Sequence, residues 1–436
     1  MSKSDITTFP FPWATIEEIA APRLGAIKIG PFGSQLKKEE LSQQGYKVYG
    51  QENVIADDFS IGDRHVDVHK FAQLQSCRLS PGDIVLTMMG TVGHCAVFPA
   101  DAEDGIMDSH LLRIQVNPEM ADQNFMALVI GSEEVGGRQI TRMSHGSIMS
   151  GLSSSIVRRL RVPLPPLPEQ RRIVEILDAA DEAIRQAERL MAKLRAAKAG
   201  LLADLLTRGL DKHGHLRDPQ AHPEQFRDSP LGRIPREWKI SMVDAEFQLA
   251  TGFTLGPHRR PKKNKRRYLR VANVLREKIL LDDITELEAS DEEMANRVLH
   301  ENDLLIVEGH ANPDEIGRCA RVPKEAVGLT FQNHLFRLRS RDLDPRFTLA
   351  WLNSEWVRAR WRCLCGTSSG LNTINRTMLR AVPVPVPEKP EQQCIAAILD
   401  THDVRIRAEE MELAKLRQVK RGLMDDLLTG QVRVGG

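Results

Sequence analysis

P-E-Q-R-R-I-V-E-I-L-D fills residues 168–178, and P-E-Q-Q-C-I-A-A-I-L-D fills residues 390–400. Each opens a forty-residue segment, 168–207 and 390–429, and the two align without a gap at an offset of 222, with 22 of the 40 positions identical. Self-similarity at a fixed spacing sets architecture before any local feature does, so the chain reads as two versions of one unit. In the first segment the apolar positions are Ile173, Leu177, Ala180, Ile184, Ala187, Met191, Leu194, Leu201 and Leu205; in the second they are Ile395, Leu399, Ile406, Leu413, Leu416, Leu423 and Leu427. Steps of four and three make this a heptad seam. Lys198 and Lys420 take the one polar slot that both seams share, where a long cation is expected to snorkel from the edge. His402 and Glu409 loosen the second seam. Forty helical residues extend about 60 Å, more than one small domain covers, so the two seams are expected to pair with each other. The helix signals agree in both copies. Pro168 and Pro390 suit the first helical position, Glu169 and Glu391 place negative charge at the positive end, and Gly209 and Gly430 follow the last leucines as stops.

Outward from the helices lie two globular stretches of similar length, 12–165 and 236–386. Both leave through proline-rich connectors, Val162-Pro-Leu-Pro-Pro-Leu-Pro and Val382-Pro-Val-Pro-Val-Pro. Inside them Gly82-Asp-Ile-Val-Leu parallels Asn302-Asp-Leu-Leu-Ile, each a turn feeding a buried strand. Cys95-Ala-Val-Phe-Pro parallels Cys319-Ala-Arg-Val-Pro, and Ser109-His-Leu-Leu-Arg-Ile parallels Asn333-His-Leu-Phe-Arg-Leu. Ser150-Gly-Leu matches Ser369-Gly-Leu. Short strands with a few helices give an α+β fold: two similar globular domains separated by two long helices that pair as an antiparallel coiled coil. The expected organisation is a first domain at 1–165, a spacer helix at 166–209, a polar linker at 210–235, a second domain at 236–386 and a second spacer helix at 387–436.

Chain length, 41% apolar and 27% charged residues are ordinary for a soluble protein of two to four domains. With a net charge of +1 there is no global basic field, so any nucleic-acid footprint must be local. The amino-terminal stretch lacks a signal-peptide pattern, and no apolar run is long enough for a bilayer. Six scattered cysteines form no C-x-x-C, which points to a reducing cytoplasm rather than a disulfide framework or a zinc ribbon. No phosphate loop, nucleophile elbow or H-E-x-x-H is present. His65 and His69, with valines between, read as an alternating strand that would hold the imidazoles about 13 Å apart, too far to share a metal. Pro313-Asp-Glu lacks a following lysine and reads as a loop. No metal site and no catalytic residue is expected.

The strongest local charge is Arg259-Arg-Pro-Lys-Lys-Asn-Lys-Arg-Arg267, in which seven of nine residues are basic. Such a cluster of nearly unopposed charge is relieved by phosphates, so Arg259, Arg260, Lys262, Lys263, Lys265, Arg266 and Arg267 are candidate DNA contacts. The smaller counterpart in the first half is Lys28 with Gly30-Pro-Phe-Gly-Ser-Gln-Leu-Lys-Lys38, where Lys37 and Lys38 bring charge and Ser34 and Gln35 suit base edges. The glycine-bearing loops add Thr91, His94, His310 and Asn312. Polar loops near the exits add Ser147, Thr367 and Ser368, with Arg142 and Arg362 ahead of them.

The exit-plus-helix at 163–178, its second copy at 383–400, the L-L-T-G-Q-V ending at 427–432 and the D-S-P-L-G-R-I-P-R-E-W junction at 228–238 resemble the specificity subunit of Type I restriction–modification systems. The resemblance covers essentially the whole chain. It implies two target recognition domains, each reading half of a split, asymmetric site in double-stranded DNA. It implies helices that set the spacing and dock two methyltransferase subunits and, through them, restriction–translocase subunits of a phage-defence complex. S-adenosylmethionine, ATP and Mg would be used by those partners, with no cofactor bound by this chain. The alternatives are a protein-binding coiled-coil adaptor without DNA readout, the specificity subunit of another split-target system, or a single-chain nuclease or methyltransferase with an unrecognised site.

Overall fold

The computed structural model describes residues 11–144, 152–365 and 372–435, with the backbone alone at Ser34 and Ser144. The chain divides into two compact units, one of residues 1–188 with 411–436 and one of residues 189–410. Each unit therefore holds one globular part and half of each long helix.

In the first unit Trp13–Thr15 pairs antiparallel with Arg161–Pro163. An antiparallel sheet runs in the spatial order Ile27–Ile29, Leu111–Ile114, Ile84–Thr87, Cys95–Val97. A three-stranded sheet sets Tyr46–Tyr49 between His65–Val66, antiparallel, and Gly105–Met107, parallel. The second unit repeats this topology. Lys239–Met242 pairs with Pro383–Val386. Its antiparallel sheet runs Phe247–Thr251, Leu335–Ser340, Leu304–Val307, Cys319–Arg321. Its three-stranded sheet sets Lys265–Leu269 between Thr285–Glu288, antiparallel, and Thr330–Phe331, parallel. The turns that feed the buried strands are equivalent too. Gly82 (φ 87°) and Asn302 (φ 70°) both sit in the left-handed region, which glycine and asparagine tolerate best. The next residue, Asp83 or Asp303, accepts an amide N–H at 2.8 Å, from Ser80 or His300.

The long helices are Leu167–Thr207 and Lys389–Thr429, 41 residues each. Pro168 and Pro390 stand second in their helices rather than first, still among the residues whose N–H has no intrahelical partner. Gly209 (φ 62°) and Gly430 (φ 77°) lie just beyond the helix ends in the left-handed conformation of a C-cap. The Glu-Gln after each proline joins helix to domain. Gln170 is fully buried; its Oε1 accepts from the Asp122 amide at 2.8 Å and its Nε2 donates to the carbonyls of Met120 and Pro165. Gln392 repeats this with the Asp344 amide and the Pro387 carbonyl, both at 2.8 Å. Asp122 and Asp344 are themselves N-caps, of Gln123–Gly131 and Pro345–Leu352. Glu169 and Glu391 each accept from a guanidinium and a backbone N–H in the segment beyond the other helix. Arg433 and the Val434 amide serve Glu169; Arg217 and the Leu210 amide serve Glu391.

The seam is shared between helix pairing and domain packing. Ile173 and Leu177 join Leu427 and Leu428 in the core of the first unit. Leu205 and Leu206 join Ile395 and Leu399 in that of the second. Between these anchors Ala187, Met191, Leu194 and Leu413 are buried, while Ile184, Leu201, Ile406, Leu416 and Leu423 are half-buried. Ion pairs cross from helix to helix. In the first unit Lys420 reaches Asp181 at 2.5 Å and Arg417 reaches Glu188 at 2.6 Å. In the second Lys198 reaches Asp403 at 2.6 Å and Arg195 reaches Glu410 at 2.7 Å. As numbering rises along one helix it falls along the other, so the pairing is antiparallel. At the offset of 222, Lys198 becomes Lys420, Asp181 becomes Asp403, Arg195 becomes Arg417 and Glu188 becomes Glu410. Each unit thus contains its own copy of the same two rungs, the pattern of a self-complementary contact. Snorkelling to solvent does not describe these lysines, because a carboxylate of the opposite helix lies within their reach.

Two further expectations change. The alternating strand across His65 and His69 ends at Val66; Asp67 accepts the Lys70 amide and caps a helix, Val68–Gln73, that carries His69. Segment 210–235, read as a polar linker, is folded into the second unit. Phe226–Ser229 and Gly232–Pro235 form a hairpin, and Leu210, Leu231 and Ile234 enter the core, with Leu216 packed against it.

Candidate nucleic-acid interface

Strands Ile27–Ile29 and Ile84–Thr87 both pair antiparallel with Leu111–Ile114, so they run in one direction and end on one side, with Ile29 opposite Leu112 and Thr87 opposite Leu111. The loops that follow, 30–36 and 88–94, therefore leave the same rim of the sheet, where the turn at 108–110 also lies. A Cβ built on Gly93 would stand 3.3 Å from Ile140 Cδ1, which sets helix Arg138–Ser144, the helix that carries Arg142, against this rim. The second unit does the same with Phe247–Thr251 and Leu304–Val307, both antiparallel to Leu335–Ser340. Loops 252–264 and 308–318 and the turn at 332–334 share its rim. Strand Gly309–His310 pairs there with Asn372–Thr373.

On the first rim Lys37, Lys38, Thr91, His94 and Arg142 are exposed. Gln35 is exposed but its Oε1 accepts the Phe32 amide at 3.1 Å and closes a tight turn. The backbone of Thr91 and His94 is held by Thr87 Oγ1, which donates to the Thr91 carbonyl at 2.6 Å and accepts from the His94 amide at 3.0 Å. Lys28 lies on the sheet itself, half-buried, beside Arg23, Arg78 and Arg113. The expected contacts Ser147, Thr367 and Ser368, and the matched Ser150-Gly and Ser369-Gly, fall outside the described residues.

The basic run of the second unit is opposed by acids rather than unopposed. Arg259 stacks 4.7 Å from the Phe253 ring and donates to the Glu288 carbonyl at 3.0 Å and to Glu293 Oε1 at 2.7 Å. That guanidinium, with the Ser290 amide, draws the Glu293 carboxyl down to about 2. Glu288 accepts the amides of Asn264 and Lys262 at 2.8 and 2.6 Å, which lower its pKa. Arg266 pairs with Asp291, and Lys265 lies 3.9 Å from Glu286. The side chains of Arg260, Lys262, Lys263 and Arg267 are exposed and make no ion pair among the described residues. The run is thus a braced platform with four outward cations. His310 accepts the Asn312 amide at 3.0 Å, and Asn312 caps the turn Pro313–Glu315. Arg362 is held by Glu355 and by Asp314, 3.1 Å away, and both carboxylates raise its pKa.

Two rim residues escaped the sequence reading. His110 stands 3.6 Å from Asp108, and His334 stands 2.7 Å from Glu308. They are equivalent, and the repeated Ser-His-Leu and Asn-His-Leu was the signal for them. The described residues hold no cluster of His, Cys, Asp or Glu fit for a metal.

The molecule thus presents two rims of one topology, each carrying exposed cations and polar tips, an arrangement suited to a duplicated nucleic-acid reader. The chain matches the Type I restriction modification DNA specificity domain twice, over residues 32–195 and 247–418, and it belongs to that family: it is a Type I DNA specificity subunit. It is similar to the Type I restriction enzyme MjaVIII specificity subunit of Methanocaldococcus jannaschii, 24% identical over 76% of this chain and 75% of the relative. It is also similar to the putative MjaX specificity subunit of the same organism, 22% identical over 86% of each. Among solved structures, a chain from work on complex assembly and conformational transition of the type I R-M system superposes with a TM-score of 0.59 at 19% identity, covering 97% of this chain and 99% of that one. The HsdS subunit from Thermoanaerobacter tengcongensis gives 0.51 at 19% identity, covering 99% and 100%.

Proposed function

We propose that each unit reads one half of a bipartite, asymmetric DNA site through its loop rim, while the paired helices fix the spacing between halves. The observation that carries this is the duplication itself. One topology presents two rims with different side chains, and one set of cross-helix rungs occurs in both units. Different rims on a common frame suit two different half-sites. Under this reading the chain is not an enzyme. It docks two methyltransferase subunits and, through them, restriction–translocase subunits, which use S-adenosylmethionine, ATP and Mg in the cytoplasm. No described helix is long and apolar enough to cross a membrane.

Methylome sequencing of a host carrying this gene and its neighbouring methyltransferase gene tests the reading. A split motif with a fixed gap, methylated on adenine in each half, is expected. A continuous motif, or none, would overturn it. A four-residue insertion at Ala187 lengthens one helix by about 6 Å and rotates its seam. The reading expects loss of methylation or a changed gap; an unaltered gap at full activity would show that the helices are not the ruler.

A further inference from the structure

In each unit the loop that follows the first strand of the four-stranded sheet, 30–36 or 252–264, begins with a glycine that has no room for a side chain. A Cβ on Gly30 would stand 1.8 Å from the Asp108 carbonyl oxygen, and one on Gly252 would stand 2.1 Å from that of Phe331 and 2.4 Å from that of Gln332. Asp108 and Gln332 occupy matching places just before the repeated Ser-His and Asn-His. The two glycines are therefore equivalent, and the loops can be compared residue by residue from them. Pro31 corresponds to Phe253, and Phe32 corresponds to Thr254.

The two phenyl rings are treated in opposite ways. Phe253 is buried, with the guanidiniums of Arg259 and Arg297 each 4.7 Å from its ring. Phe32 is 61% exposed, and among the described residues it is the only aromatic side chain left exposed. Its backbone is fixed. Gln35 Oε1 accepts the Phe32 amide at 3.1 Å, the Gln35 amide donates to the Phe32 carbonyl at 3.0 Å, and Gly33 turns with φ 51°. Lys37 and Lys38 lie exposed a few residues on. A scattered exposed apolar residue is ordinary. A ring held out by a hydrogen-bonded turn, on a loop pinned at its root and beside exposed cations, is placed to meet something.

We infer that Phe32 packs its ring against a base in the half-site of the first unit and sets the preference at that position. This rests on the functional reading above and adds a residue to it. An aromatic ring beside cations suits a nucleobase, because phosphates satisfy the lysines while the base offers an apolar face or a thymine methyl. At the same loop position the second unit carries Thr254, so the two halves read different chemistry there.

The test uses the full chain assembled with its methyltransferase partner, on a duplex library randomised at each position of the recognised site. Phe32→Ala and Phe32→Thr are expected to flatten preference by about tenfold at one position, or two adjacent ones, of a single half-site. The salt slope of binding and the thermal midpoint should stay unchanged, since the ring neither neutralises phosphate nor fills the core. Replacing thymine by deoxyuridine at that position separates a methyl contact, which loses preference, from stacking. A 2-aminopurine probe reports stacking by its fluorescence. Unchanged preference throughout that half-site, while Lys37→Ala with Lys38→Ala weakens binding, overturns the inference and leaves the interface standing. If neither set alters DNA binding, the rim itself is not the interface.

Discussion

Lys198 and Lys420 hold one position of a duplicated helix, and each ends its side chain on the equivalent aspartate of the helix opposite, Asp403 at 2.6 Å and Asp181 at 2.5 Å. Their surroundings then diverge. Lys198 also meets Glu277 at 2.9 Å, a residue of the second globular part held at φ 64°, so it ties helix to helix and both to a domain. Lys198→Met should cost about 2 kcal/mol and Lys420→Met about 1 kcal/mol, because charge-assisted hydrogen bonds are lost in unequal number. Burial lowers the pKa of Lys198, but the two carboxylates more than offset it and leave it raised. A cation whose folded pKa exceeds its unfolded value, about 10.4, contributes fully below that pH and loses its contribution as pH climbs through the folded value. Chemical denaturation between pH 9 and 12 should show the wild type and Lys198→Met converging at the alkaline end.

The opposite pH dependence belongs to Glu169. This carboxylate is 5% exposed and accepts from Arg433 at 2.8 and 2.6 Å. The Arg433 guanidinium holds its pKa below the usual carboxylate range. Its stabilisation is complete above the unfolded value of about 4.3 and fades as pH falls through the lower folded value. Arg433→Ala should remove about 1–3 kcal/mol at neutral pH, since a nearly buried carboxylate loses its partner. The gap from the wild type should narrow below pH 4 in acid unfolding followed by circular dichroism.

Gln170 makes three hydrogen bonds in a place without solvent. Gln170→Glu puts a carboxylate against the carbonyls of Met120 and Pro165, where an amide donated. We expect Gln170→Glu to cost more than Gln170→Ala, with the alanine variant losing about 2–3 kcal/mol. Hydrogen exchange should rise first in helix Gln123–Gly131, whose cap residue Asp122 loses its link to the long helix. Equal costs for the two variants would show that the site admits water.

The basic run separates into two groups with different outcomes. Neutralising Arg260, Lys262, Lys263 and Arg267 should leave the thermal midpoint unchanged. It should lower the salt slope of DNA binding by about 0.9 for each phosphate that is no longer neutralised. Neutralising Arg259 and Arg266 instead removes the partners of Glu293 and Asp291, and the second unit should melt earlier. Titrations at several salt concentrations, paired with melting curves, distinguish the two groups.

What could be read in advance divides by distance along the chain. The heptad seam, the glycine stops and the buried strands after Gly82 and Asn302 were legible because each is a pattern of near neighbours. The Pro-Glu-Gln repeat was legible only as a helix start. Its partners lie 48 residues before Gln170 and 264 residues after Glu169, and spacing alone cannot show them. The valines around Asp67 imitated a strand, and the N-cap chemistry of Asp67 overrode them. In the basic run the number of cations was plain, yet the acids that brace Arg259 and Arg266 lie 34 and 25 residues downstream. The rims followed from strand direction, which the sequence did not contain in readable form.

Every residue of the four cross-helix rungs belongs to the repeated sequence, whereas Phe32 and Thr254, at one loop position, do not. Substitution at the loop tips leaves the rungs intact, and the rungs accept either unit's helix half on the same terms. If the rims read DNA as proposed, a lineage acquires a new target through a few surface changes, with no compensating change demanded of its framework.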